Sequence, residues 1–186
     1  MIIVNLKKYV TGRQAAKIIE ICNRVSHEFD IRIVAAVQPE DLQIGCWTQH
    51  FYLPEIPTLL NHSDYPLTLE RRKAQGSGHK AEKCICTKSV EEGVDFAKLK
   101  PEWLAFEPPE LIGNTEKSVA SERPEEIQRL ASSVQCSVLV GAGIHTAQDV
   151  RTALELGAKG VLVATAVVKA ENPEEKLREL AEAFKM

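Results

Sequence analysis

Eight short apolar runs recur along this chain, and most of the stretches that separate them have the spacing of an amphipathic helix. The runs are Ile2–Leu6, Ile31–Val37, Cys46–Tyr52, Thr58–Leu60, Lys83–Thr87, Trp103–Phe106, Ser137–Val140 and Gly160–Ala164. Continuous apolar runs this short suit strands buried on both faces, as in a parallel sheet covered by helices. Between the first two, Ala15, Ile18, Ile19, Cys22, Val25 and Phe29 follow a helical period, and Thr11-x-x-Gln14 predicts a capping box ahead of them. The same reading predicts helices over Pro66–Gln75, from Ser89 to Phe96, over Pro124–Val134 and over Ala147–Leu156. A last helix starts at Asn172-Pro173 and carries Leu177, Leu180, Ala181 and Phe184. Thr146-x-x-Asp149 is a second capping signal, and Gly157 suits the position after a helix. Eight strands alternating with helices favour an α/β fold of the (β/α)8 barrel type over an open doubly wound sheet, in one domain spanning residues 1–186.

Such barrels typically need ~250 residues and rarely fewer than ~200, whereas this chain has 186. The shortfall falls in one place. Gln38–Gly45 and Leu53–Pro57 are too short for a helix of the usual ~11–12 residues, and parallel strands normally need a crossover of a dozen or more. The helices after strands two and three are therefore expected to be missing or vestigial. Strands two to four then lack helices over their outer faces, an apolar surface of the kind that seeks a partner. The expectation is either local repacking of Gln38–Pro57 or a homo-oligomer built through a non-standard interface.

Composition narrows the function classes. A net charge of −3 argues against a general nucleic-acid surface, while leaving room for a local basic phosphate pocket. No apolar run approaches the ~20 residues needed to span a bilayer. Met1–Asn5 is too short for the apolar region of a secretion signal, so no membrane partner and a cytoplasmic location are expected. The five cysteines, Cys22, Cys46, Cys84, Cys86 and Cys136, are odd in number and lack C-x-x-C spacing. They read as reduced core residues, with Cys84 and Cys86 on one face of a strand and neither zinc nor disulfides implied.

In a (β/α)8 barrel the functional residues sit at the C-terminal ends of the strands. The most informative end is Ala105–Gly113, A-F-E-P-P-E-L-I-G, where an apolar strand terminates in Glu107 and two prolines follow. Proline fixes φ and restrains the residue before it, so Glu107 is presented on a stiff stalk. The loop runs past Ile112 and Gly113 to a helix expected near Pro124. The other ends give Asn5 and Lys7, then Asn61 and His62, then Gly141-Ala142-Gly143, then Ala164-Thr165. Each has an ordinary reading: a solvated lysine beside Lys8, a histidine capping the next helix, a rim acid in an ion pair, a tight glycine turn. Together, a cation, an imidazole and a carboxylate on one rim form a minimal proton-transfer set. The turns after strands seven and eight are the standard phosphate site of such barrels.

Asn5-Leu6-Lys7, Leu59-Leu60-Asn61-His62-Ser63, the A-F-E-P-P-E-L-I-G stretch, Gly141-Ala142-Gly143-Ile144 and the region Gly157–Lys169 closely resemble archaeal-type triosephosphate isomerase. The resemblance covers most of the chain in the family's order. It implies that Glu107 removes a proton from the carbon next to the carbonyl of a triose phosphate, that neutral His62 polarises the carbonyl, and that Lys7 and Asn5 stabilise the developing charge. It also implies that Ile112, Gly113, Gly141, Ala142, Gly143, Ala164 and Thr165 surround the phosphate, that Pro108–Val119 closes as a lid, and that neither a metal nor an organic cofactor is used. Three local departures are Asp64 for a usual glutamate, Asn114-Thr115 in the lid, and Thr165 for a usual Ser or Gly. The larger departure is the absence of the family's long third loop and the helix after it. Two competing readings are another phosphate-binding barrel isomerase or lyase, and a weakened barrel that binds phosphorylated metabolites or serves as an assembly subunit.

Overall fold

In the computed structural model, the described residues are 1–43, 45–49, 57–62 and 82–185. They form a closed barrel of eight parallel strands in sequence order: β1 (Ile2–Asn5), β2 (Ile33–Val37), β3 (Trp47–Thr48), β4 (Thr58–Leu60), β5 (Lys83–Thr87), β6 (Trp103–Phe106), β7 (Ser137–Val140) and β8 (Gly160–Val163). Each strand pairs with the next, and β8 closes on β1 with Ile2 beside Val161. The (β/α)8 architecture expected from the alternation is therefore present. The helices around it are α1 (Gly12–Phe29), α2 (Val90–Ala97), α3 (Val119–Glu122), α4 (Pro124–Ser133), α5 (Ala147–Glu155), α6 (Thr165–Val168) and α7 (Pro173–Glu182). The helix expected over Pro66–Gln75 lies outside the described residues.

The strand period of two sorts the apolar residues into two layers. Ile3, Val34, Ala36, Trp47, Leu59, Cys84, Cys86, Ala105, Leu139 and Leu162 pack together in the barrel interior. The alternate residues, such as Val4, Ala35, Leu104 and Val140, face the helices and meet Ile18, Phe96, Leu130, Val150 and Leu177. Trp47, the largest side chain in the interior layer, comes from the shortest strand and is almost fully buried.

The shortened middle is where the barrel is thinnest. The strand expected over Cys46–Tyr52 is only Trp47–Thr48 among the described residues, and Gln49 is a bend. It pairs with β2 through Ala36–Trp47 and Val37–Thr48, and with β4 through Thr48–Thr58 alone. A 3-10 turn over Pro39–Asp41 replaces a crossover helix there. The outward residues Val37, Thr48, Thr58 and Leu60 are nevertheless all buried within the chain. The bare apolar face expected on these strands is thus not present at those positions.

Two end signals turn out differently. Thr11 makes no side-chain cap to α1; the Gly12 amide instead donates to Asp41 Oδ1 at 2.7 Å. A carboxylate from the 3-10 turn takes the first helical amide, and its charge suits the helix N-terminus, while the Gln14 amide that a Thr11 capping box would use gets no side-chain cap. The loop after Glu107 does not run unbroken to Pro124, because α3 intervenes with Ser118 and Ser121 as a reciprocal capping box. The caps expected at Ser89 and at Thr146–Asp149 are in place, and Gly157 has a φ of 99°.

Asp149 offers a test of this framework by pH. Its carboxylate accepts from the His145 and Thr146 amides, from Thr146 Oγ1 and from the Ser118 side chain, so it ties α5 to the start of α3. Burial, the largest single influence, pushes its pKa up, but the four hydrogen bonds together outweigh it and hold it below the usual 3.8. A depressed carboxylate contributes stability above its unfolded pKa and loses it as pH falls through the folded value. Asp149→Ala should therefore cost about 1 kcal/mol near neutrality, the low end for hydrogen bonds to a partly exposed charge. In denaturant titrations the gap from wild type should stay constant above about pH 5 and shrink below about pH 4.

Candidate functional site

Continuing the inward alternation one step past each interior residue yields the rim. Asn5 follows Ile3, Gln38 follows Ala36, Gln49 follows Trp47 and Asn61 follows Leu59. Cys86 follows Cys84, Glu107 follows Ala105, Gly141 follows Leu139 and Ala164 follows Leu162. Neighbours in this ring touch. Gln38 Nε2 donates to Gln49 Oε1 at 3.1 Å, and Asn61 Nδ2 donates to the Cys86 carbonyl at 2.8 Å. The Cys86 thiol hydrogen-bonds the Glu107 carboxylate. Glu107 in turn lies over Gly141, where an added Cβ would stand 2.6 Å from Glu107 Cγ.

Glu107 sits where the sheet ends and the stiff loop begins. Its amide donates to the Thr87 carbonyl at 2.8 Å, which continues the β5–β6 ladder by one bond. Beyond Pro108 the chain enters a 3-10 turn over Pro109–Leu111, and Glu110 there pairs with Arg123 at 2.8 Å. Burial pushes the Cys86 thiol well above the usual thiol range, and the Glu107 charge adds to the effect. The thiol therefore stays protonated and acts as a donor to the carboxylate.

Lys7 lies across the rim in a left-handed backbone conformation, with φ at 49°. This is uncommon for a non-glycine residue and is tolerated where neighbours hold it. Its amide donates to Asn5 Oδ1 at 2.9 Å, and its carbonyl accepts from Gln38 Nε2 at 2.8 Å. Asn5 Nδ2 is buried and has no hydrogen-bond partner among the described residues. An orphaned donor of this kind costs about 1–3 kcal/mol and is characteristic of positions completed by a ligand or water. Asn61 is also left-handed, at φ 58°, and so turns the chain sharply into His62. His62 is buried, and its Nε2 lies 3.4 Å from the Gln49 carbonyl. A carbonyl can only accept, so this contact favours the tautomer with the proton on Nε2. The helix expected to follow His62, with Ser63 and Asp64, lies outside the described residues.

One cleft gathers Lys7, Glu107, Ile112, Gly113, Ala142, Gly143, Ala164 and Thr165. Asn5, His62 and Gly141 do not line it: Asn5 accepts from the Lys7 amide, Gly141 lies under Glu107, and His62 is linked to Lys7 through Gln49. Its far wall is made by two turns. Ala142 and Gly143 have φ of 68° and 72°, and an added Cβ at Gly143 would stand 2.2 Å from the Lys117 carbonyl. That close approach ties the β7 turn to the end of the loop after Glu107. The other turn opens α6, a helix of four residues. The amides of Thr165 and Ala166 have no acceptor within the helix, and both residues line the cleft. Asn114, one of the local departures, accepts from the Glu116 and Lys117 amides at 2.9 Å each and so shapes the loop tip.

Several rim residues escaped the sequence reading. Gln38, Gln49 and Cys86 were readable as sites only through the inward period, carried one step past each strand end. Tyr9 stands between two cations, its ring centroid 4.2 Å from Lys169 Nζ and 5.9 Å from Lys7 Nζ, within cation–π range. His145 lines the cleft and bonds the Gly143 carbonyl through a ring nitrogen. Nothing in the sequence marked either residue beyond its type.

The contact between Glu107 and Gly141 yields a sharp expectation. In Gly141→Ala the new methyl meets only the end of a flexible side chain, so thermal stability should hardly change. The carboxylate, however, must move, and a shift of about 1 Å can cost about 100-fold in rate. Steady-state kinetics should show kcat reduced at least about tenfold, with little change in the melting temperature.

With the geometry described, comparison with known proteins is direct. The family model of triosephosphate isomerase matches residues 68–183. The triosephosphate isomerase of Methanocaldococcus jannaschii is 34% identical over 215 aligned positions, covering 97% of this chain and 98% of that one. That of Thermoplasma volcanium is 37% identical, covering 94% and 87%. The first alignment is longer than this chain, as expected if its relative carries segments absent here. Among solved structures, thiamine phosphate pyrophosphorylase from Pyrococcus furiosus superposes with a TM-score of 0.58 at 15% identity, over 99% of this chain and 95% of that one. Geranylgeranylglyceryl phosphate synthase from Thermoplasma acidophilum does so with 0.61 at 13%, over 100% and 92%. At these identities the structural matches speak for the barrel alone. The sequence matches speak for more: this chain belongs to the triosephosphate isomerase family.

Proposed function

We propose that the rim carries out the isomerisation of dihydroxyacetone phosphate and D-glyceraldehyde 3-phosphate by proton transfer through an enediolate. The observation that carries this reading is the single cleft in which Glu107 and Lys7 face the turns of β7 and β8. Glu107 takes a proton from the carbon beside the carbonyl and returns it to the neighbouring carbon, so no atom is gained or lost. The electron pair released moves onto the carbonyl oxygen, and that charge is met by Lys7 and by the orphaned Asn5 donor. Neutral His62 polarises the carbonyl and exchanges protons with the two oxygens.

The phosphate is held by the amides of Gly113, Gly143, Ala164 and Thr165, with Ile112, Gly141 and Ala142 shaping the walls. The α6 N-terminus supplies the positive end of a dipole. Residues Pro108–Val119 act as a lid that excludes water. The 3-10 turn and the Asn114 bonds support its moving as a stiff unit about its two ends. The chemistry proposed here needs no cofactor, and a cytoplasmic location accords with a metabolic isomerase. Among the described residues, no helix is long and apolar enough to cross a membrane. For a homo-oligomer, the buried outward faces of β2–β4 direct any interface to other parts of the surface.

A coupled assay with glyceraldehyde 3-phosphate tests the chemistry. Glu107→Gln should lower kcat by a factor of about 100 to 10,000, the usual worth of a positioned base, with a far smaller effect on KM. Equal trace rates in wild type and variant would leave only a barrel that binds phosphorylated metabolites. Light scattering across a concentration series tests the assembly; a monomer throughout would remove the oligomer.

A further inference from the structure

Gln38 and Gln49 take no part in the proton transfer, yet both are buried polar residues at the rim. Their amide groups have fixed orientations. Gln38 Nε2 donates to the Lys7 carbonyl at 2.8 Å and to Gln49 Oε1 at 3.1 Å. Gln49 Nε2 donates to the Ala36 carbonyl at 2.6 Å and reaches the Lys7 carbonyl at 3.4 Å. Backbone carbonyls only accept, so the nitrogen end of each side chain must face them and neither amide can be flipped. The backbone of Gln49 is engaged too: its amide donates to the Val37 carbonyl at 2.9 Å, and its carbonyl meets His62 Nε2. Gln49 therefore touches residues of or just beyond β1, β2 and β4.

We propose that Gln38 and Gln49 form a positioning clamp that fixes Lys7 and His62 relative to each other. The clamp lies where the sheet is thinnest, since among the described residues β3 and β4 share only the Thr48–Thr58 pair. Side-chain amides extend the hydrogen-bonded network past the point where the backbone ladder stops. They also hold Lys7 in its left-handed conformation from the carbonyl side, as Asn5 does from the amide side. This inference rests on the catalytic roles proposed above for Lys7 and His62, but it has a readout that does not depend on them.

Gln38→Met keeps most of the side-chain volume and removes the donor. Amide hydrogen exchange at Lys7 should accelerate at least about tenfold while Val4 and Leu139 keep their protection. In the same protein kcat should fall about tenfold, with the inhibition constant of inorganic phosphate within about twofold of wild type, because the β7–β8 turns lie away from the clamp. Gln38→Glu should lose activity near pH 8 and regain it as pH is lowered toward about 6, since a protonated carboxyl can again donate to the Lys7 carbonyl. It also serves as the second variant if the methionine form does not fold. Unchanged exchange at Lys7 with unchanged kcat would overturn the clamp. So would a uniform loss of protection together with weakened phosphate binding, which marks a general structural role. Selective exchange at Lys7 in a protein whose wild type does not isomerise triose phosphates would instead overturn the isomerase reading and leave the clamp standing.

Discussion

Closure of the sheet is the constraint on which everything else depends. A parallel barrel has no edge, so each strand must find a partner on both sides, and the C-terminal ends of all eight must arrive at one rim. Among the described residues, closure passes through β3, two residues long, and through the single pair Thr48–Thr58. The interior compensates there with bulk, because Trp47 supplies the largest apolar side chain in the central layer. The short strand still brings Gln49 to the rim in the correct inward register. A slip of one residue would turn Trp47 outward and Thr48 into the core. The tryptophan thus fixes the register at the weakest seam.

From closure follows the chemistry of the rim. Interior positions are apolar through Ala36, Trp47, Leu59, Ala105, Leu139 and Leu162, and one step further the same positions become polar or small. The change is abrupt because the strand ends there and the chain must turn. Three of the turns place non-glycine residues, Lys7, Asn61 and Ala142, at positive φ. Left-handed non-glycine residues cost about 1–3 kcal/mol each, and they persist here because hydrogen bonds hold the chain around them. Lys7 is held from both backbone sides, Asn61 through its own side chain to the Cys86 carbonyl, and Ala142 through its carbonyl, which accepts from Val119. The other left-handed non-glycine residues among those described, Asp30 and Lys100, lie in the connections that lead into β2 and β6.

Much of this was legible in the sequence. Seven of the eight strands could be placed to within two residues at each end, and β4, β5, β6 and β7 had the bounds read from their apolar runs. Long helices with full apolar faces were equally readable. What failed was local and had physical causes. Thr11 has the residue type of a cap, but the helix start is held by Asp41, which reaches the Gly12 amide from another part of the chain, and no local pattern reports such a partner. The helix α3 is four residues long, too short for a period to show. The bare face expected on β2–β4 came from counting helices, whereas Val37, Thr48, Thr58 and Leu60 are covered within the chain. At the rim, Glu107, Lys7 and the two turns that line the cleft stood out by residue type. Gln38, Gln49 and Cys86 did not, since an amide or a thiol after an apolar strand is informative only once the inward register is known.

The central claim is that a shortened barrel still brings Glu107, Lys7 and His62 to bear on one substrate and keeps water away while the proton moves. Following the reaction in deuterium oxide by proton magnetic resonance tests it most directly. The account predicts the isomeric triose phosphate, formed far faster than in the protein-free control and carrying at most one carbon-bound deuterium, with the phosphate ester intact. Absence of isomerised product above the control rate would contradict it, and so would release of inorganic phosphate as the main product, which would mean that the lid does not hold the enediolate.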